Sequence, residues 1–254
     1  MCGHTIIRYF HRLAIGLCAC AVLLAALDSH KAAAQDYAAI IAAPDRSEAD
    51  RKTDQRRDPV KLLAFTGVRP GMKVLDMGAG GGYSTELMAR AAGPTGVVYG
   101  QDSTEASQRA KDTFEARLKT PAMKNVIRLV RNFSDPVPAD VRNLDLITFF
   151  FFYHDTTYMN VDRALMNRKL YAALKPGGIL VIADHSARPG DGVSVGKTLH
   201  RIEESVLRRE VEFAGFKLVA QGSFLKHPED PRNEPVFQPK VPVDEFVLKF
   251  LKPR

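Results

Sequence analysis

Val74-Leu75-Asp76-Met77-Gly78-Ala79-Gly80-Gly81-Gly82-Tyr83 decides the reading of this chain. A short apolar strand ends in an acid, and a D-x-G-x-G-G loop then turns into a helix. Glycine is needed where a ligand approaches the backbone with no Cβ in the way and where the turn requires φ > 0. A G-x-G pattern alone is weak, but here a strand precedes it, a helix follows, and Asp102 closes the next strand. An acid at that place can hold both hydroxyls of a ribose. A dinucleotide loop would need a small residue three positions after Gly80, where Tyr83 stands. A pyrophosphate seated on the helix N-terminus would also be repelled by Asp76. Asp76 suits a ligand that carries an ammonium and a sulfonium.

Outward from this loop, strand and helix alternate. A helix ends near residue 65, with Gly67 and Pro70-Gly71 breaking it. Strands are predicted over 73–76, 96–101, 126–130, 144–152 and 179–183, and helices over 84–92, 104–119, 160–174 and 198–214. Two late strands fall at 217–224 and 245–251, separated by a proline-containing loop over 226–243. The βαβ spacing implies an α/β fold with a doubly wound parallel sheet. The strands are apolar runs, as a sheet buried on both faces requires. Residues 44–58 are densely charged and fit an exposed arm or a helix lying over a surface.

The chain resembles the class I S-adenosylmethionine-dependent methyltransferases over about residues 60–253. The resemblance rests on VLDMGAGGGYSTELMAR, GVVYGQD, LDLITFFF and LKPGGILVIADH. It implies a seven-stranded, mostly parallel Rossmann-like sheet whose last strand is antiparallel, formed by residues 244–252. It implies S-adenosyl-L-methionine as cofactor, with Asp76, Gly78, Gly80 and Gly82 lining the methionine part and Asp102 on the ribose. Asn132 and Phe133 stand where the family usually places an acid and a small residue to read the adenine. The Asn132 side chain and the Phe133 N–H offer the same contacts. More narrowly, Tyr153-His154-Asp155, Asp184-His185, His200-Arg201-Ile202-Glu203 and the ending FVLKFLKP are similar to a group of predicted, exported bacterial methyltransferases.

Ligands of open α/β sheets bind beyond the carboxyl ends of the strands. Tyr153, His154 and Asp155 leave the fourth strand, and Asp184 and His185 leave the fifth. Methyl transfer is an in-line displacement that must align the acceptor and, for an oxygen or nitrogen acceptor, remove its proton. His154 is the first choice for base, His185 the second, with Asp155 orienting the histidine. Ala183-Asp184-His185 is also similar to the Ala-Asp-Asn of magnesium-dependent catechol-type O-methyltransferases, so Asp155, Asp184 and His185 form an alternative divalent-ion set; no metal ligand is assigned. Arg56-Arg57 reads as a solvated face, and His200 with Arg201 as the start of a helix that forms surface pairs or meets an acidic substrate. The acceptor is expected to be a small molecule. The alternative is a protein of the same fold that binds the cofactor without turnover.

Composition narrows the partners. The 254 residues carry Lys+Arg 36 against Asp+Glu 29, a formal charge of +7. Cys2, Cys18 and Cys20 all precede the fold, which excludes a disulfide scaffold, a thiolate zinc site and a cysteine nucleophile in the body of the chain. Arg8, His11 and Arg12 precede the uncharged run 13–27, and Ala32-Ala33-Ala34 offers small residues before Gln35. This is the pattern of a cleavable export signal over 1–34, too short for a membrane span. The expected domain order is therefore signal 1–34, charged arm 35–58 and methyltransferase domain 59–254, with a periplasmic destination and no stable membrane insertion after cleavage. Cleavage removes Arg8, Arg12, Lys31 and Asp28, leaving +5 of the +7. That charge is spread without a basic cluster or an aromatic platform, which argues against nucleic acid. Edman sequencing of the protein recovered outside the cytoplasm is expected to start at or near Gln35; an intact Met1 on the membrane-bound protein overturns the signal reading.

Overall fold

The computed structural model describes residues 35–254; the export signal expected over 1–34 lies outside the described residues. The elements run α1 (Tyr37–Ala42), α2 (Glu48–Arg57), α3 (Pro59–Thr66), β1 (Lys73–Met77), α4 (Tyr83–Ala92), β2 (Val97–Asp102), α5 (Gln108–Leu118) and β3 (Val126–Val130). They continue as β4 (Leu144–Phe150), α6 (Arg163–Ala173), β5 (Leu174–His185), α7 (Gly196–Leu199), α8 (Glu204–Phe213), β6 (Lys217–Gly222) and β7 (Glu245–Leu251).

The seven strands form one sheet in the order β3-β2-β1-β4-β5-β7-β6. All pairs from β3 to β5 are parallel, and β7 runs antiparallel between β5 and β6. The sheet is buried on both faces by alternate residues of the same strands. Leu75, Ile147 and Ile182 pack toward Met166 and Leu170 of α6 and Leu207 of α8. Val74, Leu146 and Val181 pack toward Leu63 of α3, Leu87 of α4 and Phe114 of α5. Among the described residues no helix is long and apolar enough to cross a membrane.

Element ends follow capping chemistry. The helix expected from residue 104 starts at Gln108, because the Ser107 hydroxyl accepts the Ala110 N–H at 3.2 Å. The one expected from 160 starts at Arg163, capped by Asp162 on the Leu165 N–H at 2.8 Å. The helix expected over 198–214 is two helices, α7 and α8, parted at His200, whose backbone is left-handed (φ 54, ψ 50). Ile202 is fully buried there, and its N–H and C=O bond to the His185 C=O and the Ala187 N–H at 3.0 and 2.9 Å.

Most of the charged segment 44–58 is helix α2, Glu48–Arg57, lying over a surface. Arg46 makes a two-pronged pair with Asp54 at 2.6 and 2.8 Å, and Asp54 also accepts the Tyr83 hydroxyl at 2.6 Å. Arg117 of α5 bridges Asp50 of α2, at 2.7 and 2.9 Å, and Glu86 of α4. These pairs lay α2 beside the helix that opens from the glycine loop. Arg117→Met leaves two nearly buried carboxylates facing each other. It is expected to cost about 2–4 kcal/mol, read as a fall in Tm of roughly 5–15 °C, with limited proteolysis appearing first in α2. An unchanged melt places no weight on this clamp.

Candidate active site

Asp76 ends β1 fully buried. Its carboxylate accepts the hydroxyls of Ser84 (2.8 Å), Thr85 (2.7 Å) and Thr148 (2.7 Å). Burial pushes its pKa upward against those three donors. Asp76 thus ties the end of β1 to the first turn of α4 and to β4, on either side of the glycine loop, with its oxygens engaged by protein hydroxyls.

The loop glycines serve different ends. Gly78 has φ +64, and a Cβ there would meet the Phe152 ring at 2.9 Å. A Cβ on Gly82 would meet Phe114 at 3.0 Å. Gly80, at φ +51, faces open space, its nearest neighbour being the Gly78 carbonyl at 4.0 Å. That space is the cradle a ligand needs. Asp102 stands beside it, its two oxygens accepting the Gly80 and Ser103 N–H groups at 3.1 and 2.8 Å. Each oxygen keeps a lone pair for a ribose hydroxyl.

Asn132 follows β3 on the surface, and its Oδ1 accepts the Ser134 N–H at 2.7 Å. Its carbonyl is therefore partly committed to its own loop. The Phe133 ring is buried against Phe149 and Phe152, with centroids at 6.3 and 5.1 Å.

The second half of the site is built where β4 and β5 end. Phe151 takes a left-handed turn (φ 57), and its N–H bonds to the Ala183 C=O at 2.7 Å. A short 3-10 turn, Tyr153–Thr157, follows and presents His154 to Asp184. Asp184 is fully buried and accepts three N–H groups: His154 Nδ1 (2.6 Å), the His154 backbone (2.8 Å) and the His185 backbone (2.8 Å). His154 Nε2 then points at Asp155 Oδ1 and His200 Nδ1, each at 3.3 Å, and His200 Nδ1 lies 3.0 Å from the same Asp155 oxygen. The Tyr158 hydroxyl also donates to that oxygen.

These groups line one wall of a cavity of about 960 Å³. Loop 236–243 also lines it, with Phe237 set edge-on to His200 at 4.7 Å. The loop is tied down by Arg201, which is 1% exposed and bonds Asp230 at 2.8 Å, the Ser186 C=O and the Glu234 C=O. Arg201 is thus a buried anchor for this loop, neither a surface pair nor a substrate contact.

Two of the sequence assignments change. Burial disfavours the charged form of His154, but Asp184 and Asp155 outweigh it and raise its pKa to about 10. Without a bound cation the ring is already protonated at neutral pH and offers no free base. Burial drives His185 the other way, to about 3, so it is neutral and a poor proton acceptor. Its Nδ1 lies 2.9 Å from Glu245, whose own pKa burial raises to about 8. The divalent-ion set Asp155, Asp184 and His185 is also not assembled, because the oxygens of Asp184 are spent on His154 and backbone N–H groups.

Two residues that the sequence left outside the assigned site set enter it. His200 joins the cluster because the left-handed break brings residues 200–202 alongside the end of β5. Arg57 is no solvated face: its guanidinium lies 4.4 Å over the Phe151 ring and lines the cavity. Arg56-Arg57 at the end of a charged helix gave no such signal.

Residues 69–215 match a family model described as a methyltransferase domain. The chain belongs to this family. It is 32% identical over 126 residues to the ubiquinone/menaquinone biosynthesis C-methyltransferase UbiE of Burkholderia multivorans, covering 49% of this chain and 47% of that protein. It is 34% identical over 126 residues to the demethylmenaquinone methyltransferase of Staphylococcus aureus, covering 50% and 48%. The chain thus spans about half the length of the curated relatives it matches. Among solved structures, a SAM-dependent methyltransferase from Aquifex aeolicus superposes with a TM-score of 0.58 at 19% identity, over 80% of this chain and 97% of that one. The [4+2]-cyclase SpnF shares the fold at a TM-score of 0.55 and 17% identity, over 81% of each chain. The cofactor of this methyltransferase domain is S-adenosylmethionine, and the cradle at Gly80 and Asp102 fits that molecule. The family match favours catalysis over cofactor binding without turnover.

Gly80→Val is expected to abolish S-adenosylmethionine binding in calorimetry by filling the cradle. Asp102→Ala is expected to weaken it about 10- to 100-fold, the loss of charge-assisted hydrogen bonds worth roughly 1.5–3 kcal/mol. Parental affinity in both folded variants removes the loop from the cofactor site.

Proposed function

We propose that this methyltransferase transfers the methyl group of S-adenosylmethionine to a small molecule with an apolar body and an ionisable hydroxyl. The cavity's lining supports this reading: it brings the polar His154, Asp155, Tyr158 and His200 together with the apolar Val236, Phe237, Val241 and Val243. A lining that mixes an apolar surface with a few polar groups fixes how a ligand is oriented. The two quinone-pathway relatives support an acceptor ring that bears oxygen, although each is matched over only about half its length.

The cofactor supplies an electrophilic methyl on a sulfonium. Asp102 and the loop at Gly80 hold its nucleoside, and Asp76 fixes that loop. The phenyl groups of Phe151 and Phe237 pack the acceptor's apolar part, and its hydroxyl is held and ionised against the His154–Asp155–His200 cluster. With the cofactor bound, its sulfonium would supply the methyl group to the acceptor's oxygen, or to a ring carbon made nucleophilic by that oxygen, and leave as the neutral thioether. The hydroxyl proton passes to the Asp155 carboxylate and on to solvent in the cavity while protonated His154 stabilises the oxyanion; methylation at a ring carbon also releases that carbon's hydrogen as a proton, the oxygen then being reprotonated.

The test is a methyl-transfer assay with labelled cofactor against a panel of phenols, catechols and short-chain hydroquinones, with non-hydroxylated analogues as controls. Label is expected only in the hydroxylated compounds. Asp155→Asn is expected to lower kcat about 10²–10³-fold while leaving cofactor affinity within a few-fold. Equal labelling of the non-hydroxylated analogues, or full activity in Asp155→Asn, overturns the reading.

A further inference from the structure

We infer that His154, Asp155 and His200 form a binding site for one first-row divalent metal ion at the wall of the acceptor cavity. Three ligand atoms converge: His154 Nε2, His200 Nδ1 and Asp155 Oδ1, separated by 3.3, 3.3 and 3.0 Å. Nitrogen and oxygen ligands about 2.0–2.2 Å from an ion, at tetrahedral or octahedral angles, lie about 2.9–3.5 Å from one another. The three atoms have the spacing of one face of a coordination polyhedron. Their mutual approach within 4.8 Å is met by no other histidine, cysteine or carboxylate trio among the described residues.

The surroundings match a metal site in three further respects. His154 gives its other ring nitrogen to the buried carboxylate of Asp184 at 2.6 Å. This is the outer-shell bond that fixes a ligating imidazole with its lone pair on Nε2. Neither Asp155 nor Asp184 forms an ion pair with a lysine or arginine among the described residues, so the histidines alone answer two carboxylates. His200 is held in a left-handed backbone, φ 54, which a residue with a side chain adopts at a cost. That conformation aims its Nδ1 at the trio.

Two imidazoles and one carboxylate select the ion. Magnesium and calcium prefer all-oxygen shells, whereas manganese, iron, cobalt and zinc accept imidazole. The positions opposite the protein face open onto the cavity, where an acceptor's oxygen binds. Use of the ion in catalysis rests on the acceptor reading above; its binding does not.

The full chain, reduced and without cofactor or acceptor, is titrated with Co²⁺ under anaerobic conditions. The visible d–d bands are expected to saturate at one equivalent without thiolate-to-cobalt charge transfer, which separates this site from the three N-terminal cysteines. An excess of Mg²⁺ is expected to leave the bands in place. His200→Asn, at a partly exposed position and with a residue that tolerates the left-handed backbone, is expected to abolish stoichiometric binding, as is Asp155→Ala. Asp184→Asn, acting through His154, is expected to weaken it about 10- to 100-fold. A thermal melt of each variant verifies that it is folded. No saturable binding, displacement by Mg²⁺, or an unaltered titration in folded His200→Asn and Asp155→Ala overturns the site. A failed titration leaves the methyl-transfer reading standing, and a failed acceptor screen leaves the ion site standing.

Discussion

The buried carboxylate of Asp76 is the constraint on which the cofactor side of the molecule depends. It sits at the carboxyl end of β1 with no exposure, and three hydroxyls from two other elements converge on it. Ser84 and Thr85 belong to the first turn of α4, and Thr148 to β4. One side chain therefore fixes the start of the helix, the neighbouring strand and the glycine loop between them. A buried acid with fewer donors would be costly; with three it becomes a rigid joint. The open space at Gly80 exists because that joint sets where the loop turns.

The acceptor side repeats the device two strands along the sheet, past β4. Asp184, equally buried at the end of β5, collects two backbone N–H groups and one imidazole nitrogen. It fixes the turn after β4 and the orientation of His154 together. The electrostatic result is divergent. His154, between two carboxylates, is driven toward the charged form, while His185, stacked on Phe151 at 5.3 Å and shut from water, is driven toward the neutral one. Two histidines with ring centroids 5.5 Å apart thus carry opposite protonation preferences.

Much of this was legible in the sequence because it is local. The strands, the glycine loop, Asp102 and the pairing of residues 153–155 with 184–185 follow from periodicity and from where ligands bind in α/β sheets. Two features were not legible. The pattern over 198–214 reads as one helix, with neither glycine nor proline to mark a break; burial of Ile202 against the end of β5 overrides propensity and delivers His200 to the cluster. The direction of the histidine pKa shifts was equally hidden. It depends on which carboxylates face each ring, and a sequence places His154 and His185 beside the same acids without saying which bonds form. Arg57 was misread for a related reason: a charged helix looks solvated until the surface it covers is known.

The matched family region, residues 69–215, contains the cofactor loop and the whole histidine–aspartate cluster. Part of the lining of the proposed acceptor cavity lies beyond it on both sides. Arg57 comes from the helix before it, and residues 236–243 come from the loop after it, anchored by Arg201 to Asp230. Likeness across the matched region therefore carries the cofactor and the reaction class, and it does not reach these two segments of the cavity's lining. The fold alone cannot choose the acceptor either, since the same sheet also serves a [4+2]-cyclase. In the acceptor reading proposed above, the cavity combines a close-set histidine–aspartate cluster with apolar groups of a loop held by a buried arginine. An acceptor bound there must satisfy both sets of groups at once.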